Sequence, residues 1–241
     1  MKNKFLILSL LVVAGMLLAA CGAAQPTGAP APQATPAAGS GGSQYVLDPA
    51  NAAGEKALAA VGYVYEGLVR VQDGNVTGAL AESFEVSDDG LDYIFNLRPD
   101  VTFHDGSALN ADVVIANFNR WFDPKDANRG SGKFEAWAKA FGGFKGETTT
   151  DGKPKSRYDG IEKVNDFTVL VHLNMPDPDL LTKLSSPAFS IVSPKAFAGG
   201  DGGTGPYKIS AGSDKSLTLE PFAKYWYKGA IPSKGMEAPL K

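Results

Sequence analysis

With one cysteine and two histidines in 241 residues, the chain cannot build a disulfide framework. A structural zinc site would need other ligands besides, and no metal or cofactor is expected. Positive charge is not in surplus: 23 Lys and Arg face 26 Asp and Glu, for a formal charge of -3. The electrostatic footprint of a nucleic-acid partner is therefore missing. No internal repeat is visible. Apolar residues are not scarce: 44% are hydrophobic and 20% charged, an ordinary globular balance that excludes wholesale disorder.

A long hydrophobic run stands at the start of the chain. Residues 5–20 carry one polar member, Ser9, and at about 16 residues the run is shorter than the roughly 20 of a spanning helix. Lys2 and Lys4 ahead of it, with small residues behind, read as a signal peptide over residues 1–21. Leu18-Ala19-Ala20-Cys21 resembles the bacterial lipobox, in which the cysteine carries the lipid and becomes the new N-terminus. The alternative is a signal anchor with an incidental cysteine. Loss of Lys2 and Lys4 would leave 21 basic against 26 acidic side chains, a formal charge of -5. Residues 22–44 contain only Gly, Ala, Pro, Ser, Thr and Gln, nothing that offsets the entropy of ordering. This reads as a linker reaching about 70 Å as polyproline II, or on the order of 25 Å as coil. A lipidated Cys21 would thus tether the rest to the outer face of a bacterial cytoplasmic membrane, or in the periplasm.

Residues 45–241 are enough for a real core. Apolar residues at 57, 60, 61, 64, 65 and 68 predict a helix over 53–71. Ser87-Asp88-Asp89-Gly90 between 81–86 and 91–97 predicts a hairpin. Asn110 is the expected cap of a second helix reaching Phe122, ended by Asp123-Pro124. The insertion 127–154 is aromatic and glycine-rich, with a short helix expected inside it. Strands are expected at 161–165, 167–173 and 189–192, a short helix at 176–184, and a hairpin from 206–210 to 216–222. Helices and strands alternate without a strict βαβ rhythm, so the fold class is mixed α/β (α+β).

Candidate chemistry is thin. His104-Asp105 could pass for a catalytic pair, but neighbours in a turn rarely aim at one another, and no nucleophile motif such as Gly-x-Ser-x-Gly accompanies it. His172 sits on a strand face opposite apolar neighbours. Residues 126–137 fail the calcium-loop pattern, having Ser131 and Trp137 where Gly and Glu are needed. The glycines of 199–205 lead into a strand rather than a helix, unlike a phosphate cradle, and read as a flexible crossover. Phe134, Trp137, Tyr225 and Trp226 are either core or ligand-facing. No catalytic residue emerges.

Several segments together are similar to one family. They are Tyr65-Glu66-Gly67-Leu68-Val69, the stretch 80–90, Phe103-His104-Asp105-Gly106 with 110–114, the stretch 161–166, and Gly203-Thr204-Gly205-Pro206-Tyr207-Lys208 followed by Tyr225-Trp226. In this order they resemble the family 5 extracellular solute-binding proteins of ABC importers, whose members bind peptides, nickel complexes and some sugars. Asn117-Phe118-Asn119-Arg120-Trp121 is most similar to the peptide branch. The resemblance implies a type II periplasmic-binding-protein fold, a two-lobe clamp that captures a peptide or small solute and hands it to an ABC permease in the membrane. It covers residue 47 onward and only the first lobe, so the expectation is a truncated N-terminal lobe over 45–241, non-enzymatic. Expected ligand-binding residues are Tyr45, Asp48, Phe134 and Trp137. The rival readings are a partner-binding or structural lipoprotein and a lipoprotein hydrolase, the latter requiring a nucleophile and base in hydrogen-bond reach.

Overall fold

Asp48 caps a 3-10 turn, Pro49–Asn51, its carboxylate accepting the Ala50 N–H at 3.2 Å. Proline stands at the first position, where no N–H is needed. The computed structural model describes residues 47–241, and Cys21, Tyr45, the leader and the linker lie outside that range.

Helix α1 (Glu55–Val64) buries Ala57, Ala60, Val61 and Val64 at helical spacing. It is shorter than the expected 53–71. Tyr65 is extended, and Val69–Gln72 is strand β1, paired antiparallel with β2 (Asn75–Gly78) through Asp73-Gly74. Tyr65 and Leu68 are buried as the stripe required, but beyond the end of the helix. Burial pattern alone does not separate the two, and the β-branched Val69 and Val71 favour the strand.

Strands β3 (Ala81–Val86), β4 (Asp92–Leu97), β5 (Tyr158–Asn165) and β6 (Thr168–Leu173) form an antiparallel sheet in the order β3-β4-β6-β5. Tyr93, Phe95 and Leu97 of β4, with Val169, Val171 and Leu173 of β6, turn one apolar face inward. Helix α2 (Ala111–Phe122) packs against β5 and β6, its start fixed by Asn110, whose Oδ1 accepts the Val113 N–H at 3.0 Å. Helix α3 (Glu135–Phe141) lies in the aromatic insertion. Trp137 stacks on Phe141 with centroids 4.2 Å apart and meets Tyr158 edge-on at 4.9 Å. Phe118, Trp121, Phe122 and Phe189 close the same cluster.

Helix α4 covers only Leu180–Leu184 of the expected 176–184. The strand expected at 189–192 is absent. A 3-10 turn, Pro187–Phe189, is followed by chain whose amides go elsewhere: Ile191 donates to Glu66 O and Val192 to Asn117 Oδ1. β7 (Tyr207–Gly212) and β8 (Ser216–Pro221) form the expected hairpin. β9 (Met236–Pro239), which local patterning did not reveal, completes an antiparallel β7-β8-β9 sheet. Leu217, Leu219 and Ala238 pack with Ala60, Val61 and Val64 of α1 in a second apolar cluster.

The glycine-rich crossover is packed rather than loose. Gly203 O accepts the His104 N–H at 2.8 Å, and the Gly205 N–H donates to Val64 O at 2.8 Å. A Cβ on Gly203 would lie 2.0 Å from Val64 O, backbone that cannot swing aside. Gly203→Ala is therefore expected to lose about 1–3 kcal/mol, the scale of overpacking, read as a lower urea midpoint at unchanged slope. An unshifted midpoint would contradict the close approach.

Candidate functional site

A forked ion pair lies under the 3-10 turn. Arg120, on the inward face of α2 and 1% exposed, donates from both terminal nitrogens to Asp48, at 2.8 and 3.0 Å. A guanidinium matches a carboxylate in this two-bond geometry. The rings of Phe197 and Phe134 flank it at 4.5 and 5.5 Å. Burial alone would raise the Asp48 carboxyl. The Arg120 hydrogen bonds and charge, with the Asn51 amide and the Ala50 N–H, outweigh it and hold the group below the usual carboxylate range.

The pair extends into a relay. Asn51 Nδ2 donates to Asp48 at 2.9 Å, and Asn51 Oδ1 accepts the Phe134 N–H at 3.1 Å. Phe134 is left-handed at φ 52, a sparsely populated conformation for a bulky residue. Arg129 stacks on the ring at 4.3 Å while donating to Arg120 O and Trp121 O at the end of α2. A Cβ on Gly132 would fall 2.2 Å from Asn51 Nδ2, so glycine is what admits this approach.

The relay joins two walls of a cavity of about 360 Å³, one from Ala50 to Ala53 and one from Gly132 to Ala136. Ala52 is extended (φ -65, ψ 130) and half-buried, while Ala53 and Gly54 are exposed. Lys133 and Glu135, also in the lining, are 85% and 82% exposed and 4.0 Å apart. Main chain, methyl groups and an opposed charge pair suit holding a solute rather than transforming it.

Asp48 and Phe134 thus converge, Phe134 lining the cavity and Asp48 reaching it through Asn51. Trp137 stands one turn further along α3 and is 1% exposed, its Nε1 donating to Gly143 O at 3.2 Å. It supports the wall from behind. Sequence reasoning missed Arg120 and Asn51. The signal available was a pair of polar residues, Asn117 and Arg120, inside the apolar stripe of α2. Tyr225 and Trp226 turn their polar ends onto Glu66, at 2.8 and 2.9 Å.

The histidines are engaged elsewhere. His104 faces Asp201 at 2.6 Å and Gly205 O at 2.9 Å, and His172 faces Asp92 at 2.7 Å. Among the described residues neither meets a hydroxyl, no group of three or more His, Cys, Asp or Glu could hold a metal, and no helix is long and apolar enough to cross a membrane.

Comparison with known proteins places this geometry. The profile of bacterial extracellular solute-binding proteins, family 5 middle, matches residues 75–237. The glutathione-binding protein GsiB of Pectobacterium atrosepticum is 32% identical over 192 residues, 76% of this chain and 33% of that protein. The periplasmic binding protein DppA of Helicobacter pylori, solved with the peptide STSA, superposes with TM-score 0.65 at 24% identity, over 81% of this chain and 40% of that one. NikA of Brucella suis, solved with Fe(III)-EDTA, gives 0.62 at 26% identity, over 81% and 37%. The chain spans about a third of the length of the curated relatives it matches, and its mixed α/β fold is that of type II periplasmic binding proteins.

Proposed function

The chain belongs to the family 5 bacterial extracellular solute-binding proteins, and from that premise we propose that it binds peptides or related small solutes for import by an ABC permease. The match over residues 75–237 carries the reading. The relative GsiB, a glutathione-binding protein, favours peptides. The cavity between Ala50–Ala53 and Gly132–Ala136 is the ligand site. The main chain of Ala52 and Ala53 in its lining would pair with the backbone of an extended peptide, a mode that gives affinity without demanding one side-chain sequence. Asp48 and Asn51 position one wall, and Phe134, backed by Trp137, forms the other. Tyr45, which lies outside the described residues, is a further proposed ligand contact. Binding requires no nucleophile, so the protein is a receptor and not an enzyme.

Cys21 is the lipid attachment point, and residues 22–44 the tether that keeps the binding domain beside the permease. One acyl chain gives marginal anchoring, and stable residence takes more than one. The multiply acylated cysteine of a lipoprotein meets that condition.

Photolabelling tests the site. A tetrapeptide carrying a benzoyl-phenylalanine is expected to label residues 50–54 or 132–136, in competition with unlabelled peptides of unrelated sequence. Labelling confined to other segments, or insensitive to competitor, would reject the assignment.

A further inference from the structure

A second cavity, of about 260 Å³, opens where the C-terminal end of α1 meets β1, the segment after α4 and Tyr225. Glu66 lies in its wall with both oxygens engaged. Oε1 accepts from Tyr225 OH at 2.8 Å, and Oε2 from Thr204 Oγ1 at 3.0 Å and Trp226 Nε1 at 2.9 Å. Burial pushes its carboxyl above the ordinary glutamate range against those hydrogen bonds and the nearby Arg70 charge.

Arg70 lines the same cavity, and its Nε is buried with no hydrogen-bond partner among the described residues. Directly across the β1-β2 register stands Thr77, whose Oγ1 is also buried and also without a partner there. Residues opposite one another on paired strands project to one face. Two neighbouring donors therefore share the lack of an acceptor, an uncommon state for buried polar atoms. Ser190, 2% exposed, and the hydroxyls of Ser185 and Ser186 add to the same lining.

We propose that this cavity is a carboxylate-binding subsite, in which the anionic end of an amino-acid-sized solute sits on Arg70 and takes a further hydrogen bond from Ser190. A planar carboxylate suits a single guanidinium fork, and one positive charge beside Glu66 disfavours a phosphate dianion. The two cavities lie toward opposite ends of the ten-residue α1, a helix about 15 Å long. The subsite is thus separate from the peptide cavity and does not rest on that reading.

The probe is N-acetylglycine, titrated into the 241-residue chain while the Arg70 Nε–H resonance is followed, with N-acetylglycinamide as the neutral control. A saturable shift is expected with the carboxylate and none with the amide. Arg70→Gln should weaken the interaction by about tenfold or more, the scale of a charge-assisted hydrogen bond. Ser190→Ala, which removes a lining hydroxyl, should weaken it with the backbone spectrum unchanged. No saturable shift, as a water-filled cavity would give, overturns the proposal. So does an equal response to the amide, or undiminished affinity in both variants.

Discussion

Asp48→Ala is expected to destabilise the fold by about 5 kcal/mol and Arg120→Met by about 3, the range over which breaking a buried ion pair falls. The order follows from exposure. Arg120 is 1% exposed and Asp48 21%. Removing the carboxylate strands a guanidinium between two phenyl rings with no route to water. Removing the arginine leaves a carboxylate that water reaches, still bonded to Asn51 and Ala50 N–H. The double variant Asp48→Leu with Arg120→Met should recover much of the loss, because a matched apolar replacement carries no stranded charge. Urea unfolding of the three variants decides it, and a double variant worse than the sum of the singles would refute the account.

The same pair sets an acid limit. The Asp48 carboxyl is depressed in the folded state, so its contribution is complete above the unfolded value, about 3.9, and is lost as pH falls through the folded one. Asp48→Asn should therefore be less stable than the parent near neutrality and converge with it in acid. A constant gap down to the lowest pH at which both fold would place the acid sensitivity elsewhere.

What was legible in the sequence was local. Asn110 before an apolar stripe and the Ser87-Asp88-Asp89-Gly90 turn each encode their element within a few residues, and α2 and the β3-β4 hairpin stand where expected. The errors fall where distant partners decide. Residues 189–192 have strand composition, but Glu66 O and the Asn117 side chain satisfy their amides, so no ladder forms. β9 exists because β8 offers an edge. In the site, Asp48 was among the residues expected at the ligand, whereas its partner Arg120 lies 72 positions away. The aromatics of the insertion were legible as a group. Which of them lines the cavity depends on the left-handed Phe134, a conformation imposed by Asn51 and Arg129 that no local pattern announces.

Trp137→Ala is expected to cost about 3–5 kcal/mol, as for a large aromatic removed from a core. Trp137 touches the rings of Phe118, Trp121, Phe122, Phe141, Tyr158 and Phe189, which come from four parts of the chain and cannot all collapse into one hole. The loss should also reach the cavity wall, since Trp137 stands in the first turn of the helix that Phe134 begins. Trp137→Phe keeps a ring and loses only the bond to Gly143 O, so it should be distinctly milder. Added indole discriminates a true cavity from a collapsed one. A ligand that binds only the folded state raises its stability by mass action, so indole should raise the urea midpoint of Trp137→Ala and leave the parent unmoved. A Trp137→Ala variant at the parent's midpoint, or one indifferent to indole, would show that the aromatic layer repacks freely and does not brace the binding wall.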